Sequence, residues 1–133
     1  MAPVIRRSEI TLTEKRREIL HAVSWQVMTS VWSPPTDVYE TQNEYVVRVE
    51  VAGMREADFE VVFEDGHLFV NGIRPDIPER RAYHQMEIRY GKFSTVISIP
   101  GLVDIEQSEA EYKNGFLVVV LPKLKSTNVK IEE

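Results

Sequence analysis

The sequence predicts an all-β protein: an antiparallel β-sandwich with a helical N-terminal segment and an extended C-terminal tail. Two observations predict it. Short segments alternate apolar and polar side chains, as strands with one buried face do. Asp-Gly and Asn-Gly pairs join such segments, and these pairs favour tight hairpins because the turn needs a positive φ at both central residues. We therefore divide the chain into residues 1–35, 36–123 and 124–133.

The middle part, residues 36–123, carries the strand patterns. Strands are expected at residues 45–51, 59–64, 68–71, 93–99, 106–112 and 116–121. The last of these is apolar at every position before Pro122, which predicts burial on both faces. Short strands at this spacing, with turn signals between them, are typical of a β-sandwich.

The first part, residues 1–35, is expected to be helical up to Pro34-Pro35, which ends the segment. A capping-box pattern, Thr11-x-x-Glu14, predicts the helix start. An apolar stripe follows, and we expect it to be buried either on its own domain or on another chain. Its members, with the apolar residues around it, are Leu12, Ile19, Leu20, Val23, Trp25, Val27, Met28 and Trp32.

Composition excludes several kinds of function. The absence of cysteine excludes disulfides, zinc-thiolate sites and thiol catalysis. No uncharged apolar run is long enough to span a membrane, and the charged N-terminus argues against a signal peptide, so a cytoplasmic location is expected. The net charge of −5 comes mainly from the middle domain and disfavours nucleic-acid binding.

Catalytic motifs are also missing from the sequence. The three histidines, His21, His67 and His84, stand in different predicted elements, and no H-E-x-x-H, G-x-S-x-G or phosphate-loop pattern occurs. We therefore expect no catalytic residue, no metal site and no cofactor. The function should lie in surfaces that bind other protein chains.

Several short motifs, taken in their order along the chain, suggest what kind of protein this is. The most specific is an A-x-x-x-N-G-x-L hairpin made by Ala110, Asn114, Gly115 and Leu117, followed by Leu-Pro-Lys. W-x-P-x-x-D-x-x-E begins at Trp32, V-A-G-M at Val51, N-G-x-R at Asn71 and Y-G-x-F at Tyr90. Together they resemble the α-crystallin domain of the small heat shock proteins.

This resemblance implies an immunoglobulin-like sandwich that assembles with copies of itself, first as a dimer and then as a larger homo-oligomer. Val129 and Ile131 resemble the family's docking tail, and their i, i+2 spacing puts both side chains on one side of an extended strand. The groove expected to receive this tail is formed by Phe59, Val61 and Ile105.

The long connection at residues 74–86 resembles the bacterial, archaeal and plant type of the family, in which this loop carries a strand exchanged with the partner. The exchanged strand is expected at Tyr83, His84, Gln85 and Met86. In one respect the chain departs from the family, since Thr95 stands where an arginine often contributes to the dimer contact.

The function implied is that of an ATP-independent holdase chaperone, which binds partly unfolded proteins and suppresses their aggregation. Client binding is assigned to the N-terminal apolar residues given above. The alternative is a monomeric β-sandwich that docks on a larger chaperone as a co-chaperone. The assembly state discriminates between the two, since only the holdase is expected to form a dimer-based oligomer.

Overall fold

The computed structural model describes residues 3–5 and 31–124. Within these ranges the chain forms β-strands and two short 3-10 helices, Glu56–Asp58 and Ile105–Gln107. The strands are β1 (Pro3–Ile5), β2 (Thr36–Glu40), β3 (Glu44–Glu50), β4 (Phe59–Glu64), β5 (His67–Arg74), β6 (Gly91–Ser98), β7 (Glu109–Lys113) and β8 (Phe116–Pro122).

Two antiparallel sheets contain these strands. The larger sheet has the order β1-β7-β8-β3-β2, and the smaller has the order β4-β5-β6. Their inner faces enclose one apolar core, so the predicted all-β antiparallel sandwich is confirmed.

The core follows from the strand alternation. In β3, Val47 and Val49 are fully buried, and they lie opposite Val119 and Leu117 of β8. In the smaller sheet, Val61 of β4 lies opposite Val70 of β5. Further core side chains come from most strands and from the loops that flank them: Trp32, Tyr45, Val51, Met54, Phe63, Leu68, Phe93, Ile97, Ile99, Ala110, Tyr112 and Leu121.

Both Gly-containing hairpins form as the sequence predicts. Asn114 and Gly115, between β7 and β8, have φ values of 54° and 82°. Asp65 and Gly66, between β4 and β5, have φ values of 51° and 77°. Positive φ at both central residues gives the turn the twist of the strands that it joins, which is why these pairs mark the hairpins in the sequence.

Three expectations need correction. In β8, Leu117, Val119 and Leu121 are buried, but the residues between them are only half-buried, because they lie on the outer face of the larger sheet. Helix Ile105–Gln107 occupies the first part of the strand expected at 106–112, and β7 begins only at Glu109. The hydroxyl of Ser108 donates to the Asp104 carbonyl oxygen at 2.9 Å and closes this helical turn.

The third correction concerns the ends of elements. Strand β5 continues through Arg74, three residues beyond the end of the strand expected at 68–71. Strand β1 was not predicted at all, because three residues are too few for a periodic pattern. At the end of the segment expected to be helical, residues 31–35 form no helix, because Trp32 makes a β-bridge with Phe93 instead. The rest of the predicted helix and the residues of the docking tail lie outside the described residues.

Candidate protein-binding edges

Strand β2 forms one edge of the larger sheet and pairs only with β3 among the described strands. Its side chains are mostly exposed, with Val38 and Tyr39 at 46% and 48% of their full exposure. An edge strand presents unpaired backbone donors and acceptors, which another chain can pair with. The β2 edge is therefore a candidate surface for adding a strand.

The alternation of hydrogen bonds along β2 shows which of its residues have backbone groups that face this edge. The Glu50 N–H donates to the Pro35 carbonyl at 2.9 Å, and the Thr41 N–H donates to the Glu44 carbonyl at 2.8 Å. Residues of an antiparallel strand bond alternately to one side and the other. The backbone groups of Thr36, Val38 and Glu40 consequently point away from β3, towards the free edge.

The segment between β5 and β6, residues 75–90, contains the expected exchanged strand and forms no strand within its own chain. All of its residues are exposed, and its apolar members Ile77, Met86 and Ile88 are each more than 60% exposed. Tyr83 to Met86 pair with no described strand. The structure thus leaves this segment, with its apolar side chains, outside the sandwich.

Arg81 organises the segment locally. Its guanidinium donates to the Tyr83 hydroxyl at 2.7 Å and lies 3.4 Å from an Asp76 carboxylate oxygen. The hydrogen bond to Tyr83, together with the charge of Asp76, raises the pKa of Arg81 above its usual value. Arg81 therefore links Asp76 to Tyr83, the first residue of the expected exchanged strand.

Arg74 fixes the base of the segment, a role that sequence reasoning missed. Its guanidinium lies 4.5 Å from the centre of the Trp32 ring and 5.5 Å from that of Tyr90. It also donates from Nε to the Arg89 carbonyl at 2.8 Å and from Nη1 to the Ala52 carbonyl at 3.3 Å. The N-G-x-R motif was the only signal for this residue, and it did not reveal the contacts.

A second candidate surface lies where β4 and β7, one strand from each sheet, come together. The Phe59 ring of β4 lies 5.0 Å from the Tyr112 ring of β7, and both close the core at this side. Phe59 and Ile105 are partly buried against the core, while Val61 is 2% exposed. We call this region the β4–β7 edge. Two of the residues expected to receive the tail, Phe59 and Val61, lie in β4 at this edge, and the third, Ile105, lies in the helix that precedes β7; Phe59 and Ile105 retain accessible surface.

The remaining site residues have different positions. Ala110 and Leu117 of the hairpin are fully buried, and they support the sandwich from within. Thr95 is half-buried in β6, opposite Val70. Val129 and Ile131 lie outside the described residues. So do most of the residues expected to bind clients: Leu12, Ile19, Leu20, Val23, Trp25, Val27 and Met28.

Trp32 is the one member of the client-binding set that the structure describes. It is 9% exposed, its ring centre lies 5.3 Å from that of Phe93, and its indole N–H donates to the Gly91 carbonyl at 3.3 Å. In this arrangement Trp32 packs in its own core and offers almost no surface to a client.

The described residues hold no group of three or more histidine or acidic side chains placed to bind a metal ion. Of the two described histidines, His67 lies in β5 and His84 lies in the exposed segment 75–90, so they stand in different parts of the chain. None of the helices described here is both long and apolar enough to cross a membrane.

A two-sheet sandwich with open strand edges, and with an exposed segment that could extend another chain's sheet, has the architecture of a protein-assembly domain. Comparison with known proteins identifies the family. The family model described as Hsp20/alpha crystallin family matches residues 37–132. The chain belongs to this family, the small heat shock proteins.

Individual relatives support the assignment. The chain is 32% identical over 102 residues to small heat shock protein C4 of Rickettsia felis, covering 75% of this chain and 63% of the relative. It is 33% identical over 102 residues to heat shock protein 16 of Schizosaccharomyces pombe, covering 74% of this chain and 71% of the relative. The chain thus spans less than two thirds of the Rickettsia protein.

Solved structures show the same fold. Heat shock protein 16.0 from Schizosaccharomyces pombe matches with a TM-score of 0.64 and 31% identity, over 76% of this chain and 96% of that chain. A small heat-shock protein from Xylella fastidiosa, reported to have a distinct high order structure, matches with a TM-score of 0.68 and 26% identity, over 78% and 97%.

Proposed function

We propose that this protein is an ATP-independent holdase chaperone of the cytoplasm, which binds partly unfolded proteins and suppresses their aggregation. Membership of the small heat shock proteins supports a chaperone role. The observation that carries the proposal further is that two features occur together: an open β2 edge, and an exposed segment, residues 75–90, that has no strand partner among the described residues of its own chain. The cysteine-free composition suits a reducing compartment.

The first step of assembly in this proposal is strand exchange. Tyr83 to Met86 of one subunit pair with the β2 edge of another, and the two-fold partner returns the same contact. The exchange satisfies backbone groups on both strands and covers the exposed Val38, Tyr39 and Met86. Arg74 holds the base of the segment 75–90 and Arg81 holds Tyr83, which lowers the ordering cost of the exchange.

The second step is docking of the tail. Val129 and Ile131 of one subunit occupy the β4–β7 edge of another, where Phe59 and Ile105 retain accessible apolar surface. Two aliphatic side chains bury little area, so the contact is reversible and subunits can leave the oligomer. Departing subunits expose the N-terminal apolar residues, which bind the apolar surface of an unfolding client non-directionally.

The test is light scattering of a heat-aggregating client without ATP, at a near-equal subunit ratio. The full chain is compared with Val129→Ala/Ile131→Ala and with a matched tail control, Ser126→Ala/Thr127→Ala. We expect suppression by the full chain, and a smaller assembly only for the Val129→Ala/Ile131→Ala variant, as measured by multi-angle light scattering.

Two results would contradict the proposal. A stable monomer that fails to suppress aggregation would favour the monomeric co-chaperone module. Suppression with an unchanged assembly in the Val129→Ala/Ile131→Ala variant would keep the holdase and reject the docking tail.

A further inference from the structure

The short strand β1 lies on the β4–β7 edge. Pro3 lies opposite Glu111 and Ile5 opposite Ala110, with an irregularity in the register between the two pairs. This pairing makes β1 the outermost strand of the larger sheet, beside β7. The chain's own N-terminus therefore occupies the edge of β7.

The alternation of hydrogen bonds along β7 shows which of its backbone groups face β1. The Val51 N–H donates to the Gly115 carbonyl at 2.9 Å, so every second residue of β8 from Leu117 onwards bonds to β3. The residues of β8 between them bond to β7. In that alternation Glu109, Glu111 and Lys113 bond to β8. The backbone groups of Ala110 and Tyr112 consequently point to the other side, where β1 lies.

β1 also contacts the second sheet. It touches β4 and the helix Glu56–Asp58 that precedes it, in addition to its pairing with β7. It therefore lies across the same β4–β7 edge to which Phe59 and Val61 of β4 belong. An edge strand can accept only one further strand, so β1 and an incoming tail cannot both pair with β7.

We propose that Pro3–Ile5 is an intramolecular competitor of the docking tail, which occupies the β4–β7 edge until a neighbouring subunit's Val129–Ile131 segment displaces it. The inference rests on the tail docking proposed above. Both segments are short and carry two β-branched aliphatic residues, a composition that suits an extended strand at an apolar edge.

Two features make β1 displaceable. It spans three residues, and Pro3 has no N–H, so it can form few ladder hydrogen bonds. Occupation by β1 weakens tail docking and so favours small assemblies.

The competition can be measured with a fluorescent peptide of residues 124–133 as the probe. The receiving protein is the full chain with Val129→Ala/Ile131→Ala, so that its own tail does not compete. Adding Val4→Pro/Ile5→Pro removes every backbone donor from β1. Adding Val4→Ile/Ile5→Val instead keeps both donors and the composition, and serves as the control. We expect about tenfold tighter peptide binding in the proline variant and little change in the control.

A disulfide that holds β1 on β7 tests the opposite state, in which the edge stays occupied. This test does not require the proline variant to fold. Pro3→Cys/Glu111→Cys joins residues that lie opposite each other, in a chain with no other cysteine. Oxidation should weaken peptide binding at least tenfold, reduction should restore it, and Pro3→Cys alone should show neither effect.

The outcomes separate the two proposals. If the peptide binds with equal affinity whether β1 is intact, proline-substituted or locked, the competition is wrong while tail docking stands. If the peptide binds no variant and the tail substitutions leave the assembly unchanged, tail docking is wrong and the competition is wrong with it.

Discussion

Tyr112 of the larger sheet shows how one side chain joins separate parts of the fold. Its ring packs against Phe59, and its hydroxyl donates to the Val51 carbonyl at 2.8 Å and accepts from the Met54 N–H at 3.3 Å. These partners belong to the turn after β3, so Tyr112 ties that turn to β7. The hydroxyl is buried and leaves both backbone groups satisfied.

Tyr112→Phe is therefore expected to lower the free energy of unfolding by about 1–3 kcal/mol, because the carbonyl of Val51 and the N–H of Met54 lose a partner in a site closed to water. Urea denaturation at a fixed subunit concentration measures the change. Tyr90→Phe, at an exposed position outside the proposed dimer contact, keeps the ring beside Arg74 and is the control; it should change stability by less than about 0.5 kcal/mol. An equal effect of the two substitutions would contradict the assigned role.

Gly72 marks a second position where the packing dictates the residue. A Cβ there would lie 2.5 Å from Phe93 Cζ and 2.7 Å from the Asp58 carbonyl oxygen. The glycine of the N-G-x-R motif thus allows β5 to pass close to a buried ring. The sequence shows the glycine, but the ring beside it comes from β6 and is found only in the fold.

At the scale of elements, the β2 edge and the segment 75–90 carry the proposed dimer contact. Along β2, residues that bond to β3 alternate with residues whose backbone groups point to the free edge. One set can therefore be altered without the other. This separation permits a test of strand exchange that leaves the sandwich intact.

Val38→Pro removes a backbone donor that points to the free edge, and it leaves the bonds between β2 and β3 in place. We expect it to convert dimers into monomers while circular dichroism still reports a folded β-sandwich. Val38→Thr, which keeps the donor, should retain the dimer. Sedimentation velocity compares the three proteins, and a dimer that persists in Val38→Pro would exclude this edge as the exchange site.

At the scale of the whole molecule, stability should depend on assembly. A single sandwich leaves Val38, Tyr39, Met86 and Ile88 exposed, and the proposed exchange covers much of this surface. A contact made only by folded subunits stabilises the folded state by mass action.

The midpoint of thermal unfolding should accordingly rise with subunit concentration, by about 2–5 °C for each tenfold increase. Differential scanning calorimetry across two decades of concentration measures the slope. The Val38→Pro monomer should show no such slope. A concentration-independent midpoint in the unsubstituted protein would argue for a monomeric module.

The sequence alone determined the all-β class, most strands and both Gly-containing hairpins. These features depend on neighbouring residues: side-chain direction alternates within a strand, and a tight turn needs its own two residues to adopt positive φ. The Asn114-Gly115 hairpin is the best example, since φ at both residues agrees with the pattern. The motifs around it were also enough to predict the family.

Only the tertiary structure decided which surfaces remain open. It buries Trp32 against Phe93, places Arg74 between Trp32 and Tyr90, and lays β1 along β7. Each of these contacts joins residues that are distant in the sequence, so no local period or turn signal reports it. An apolar residue has the same pattern in a sequence whether its partner is its own core or another chain, and only the packed fold distinguishes the two.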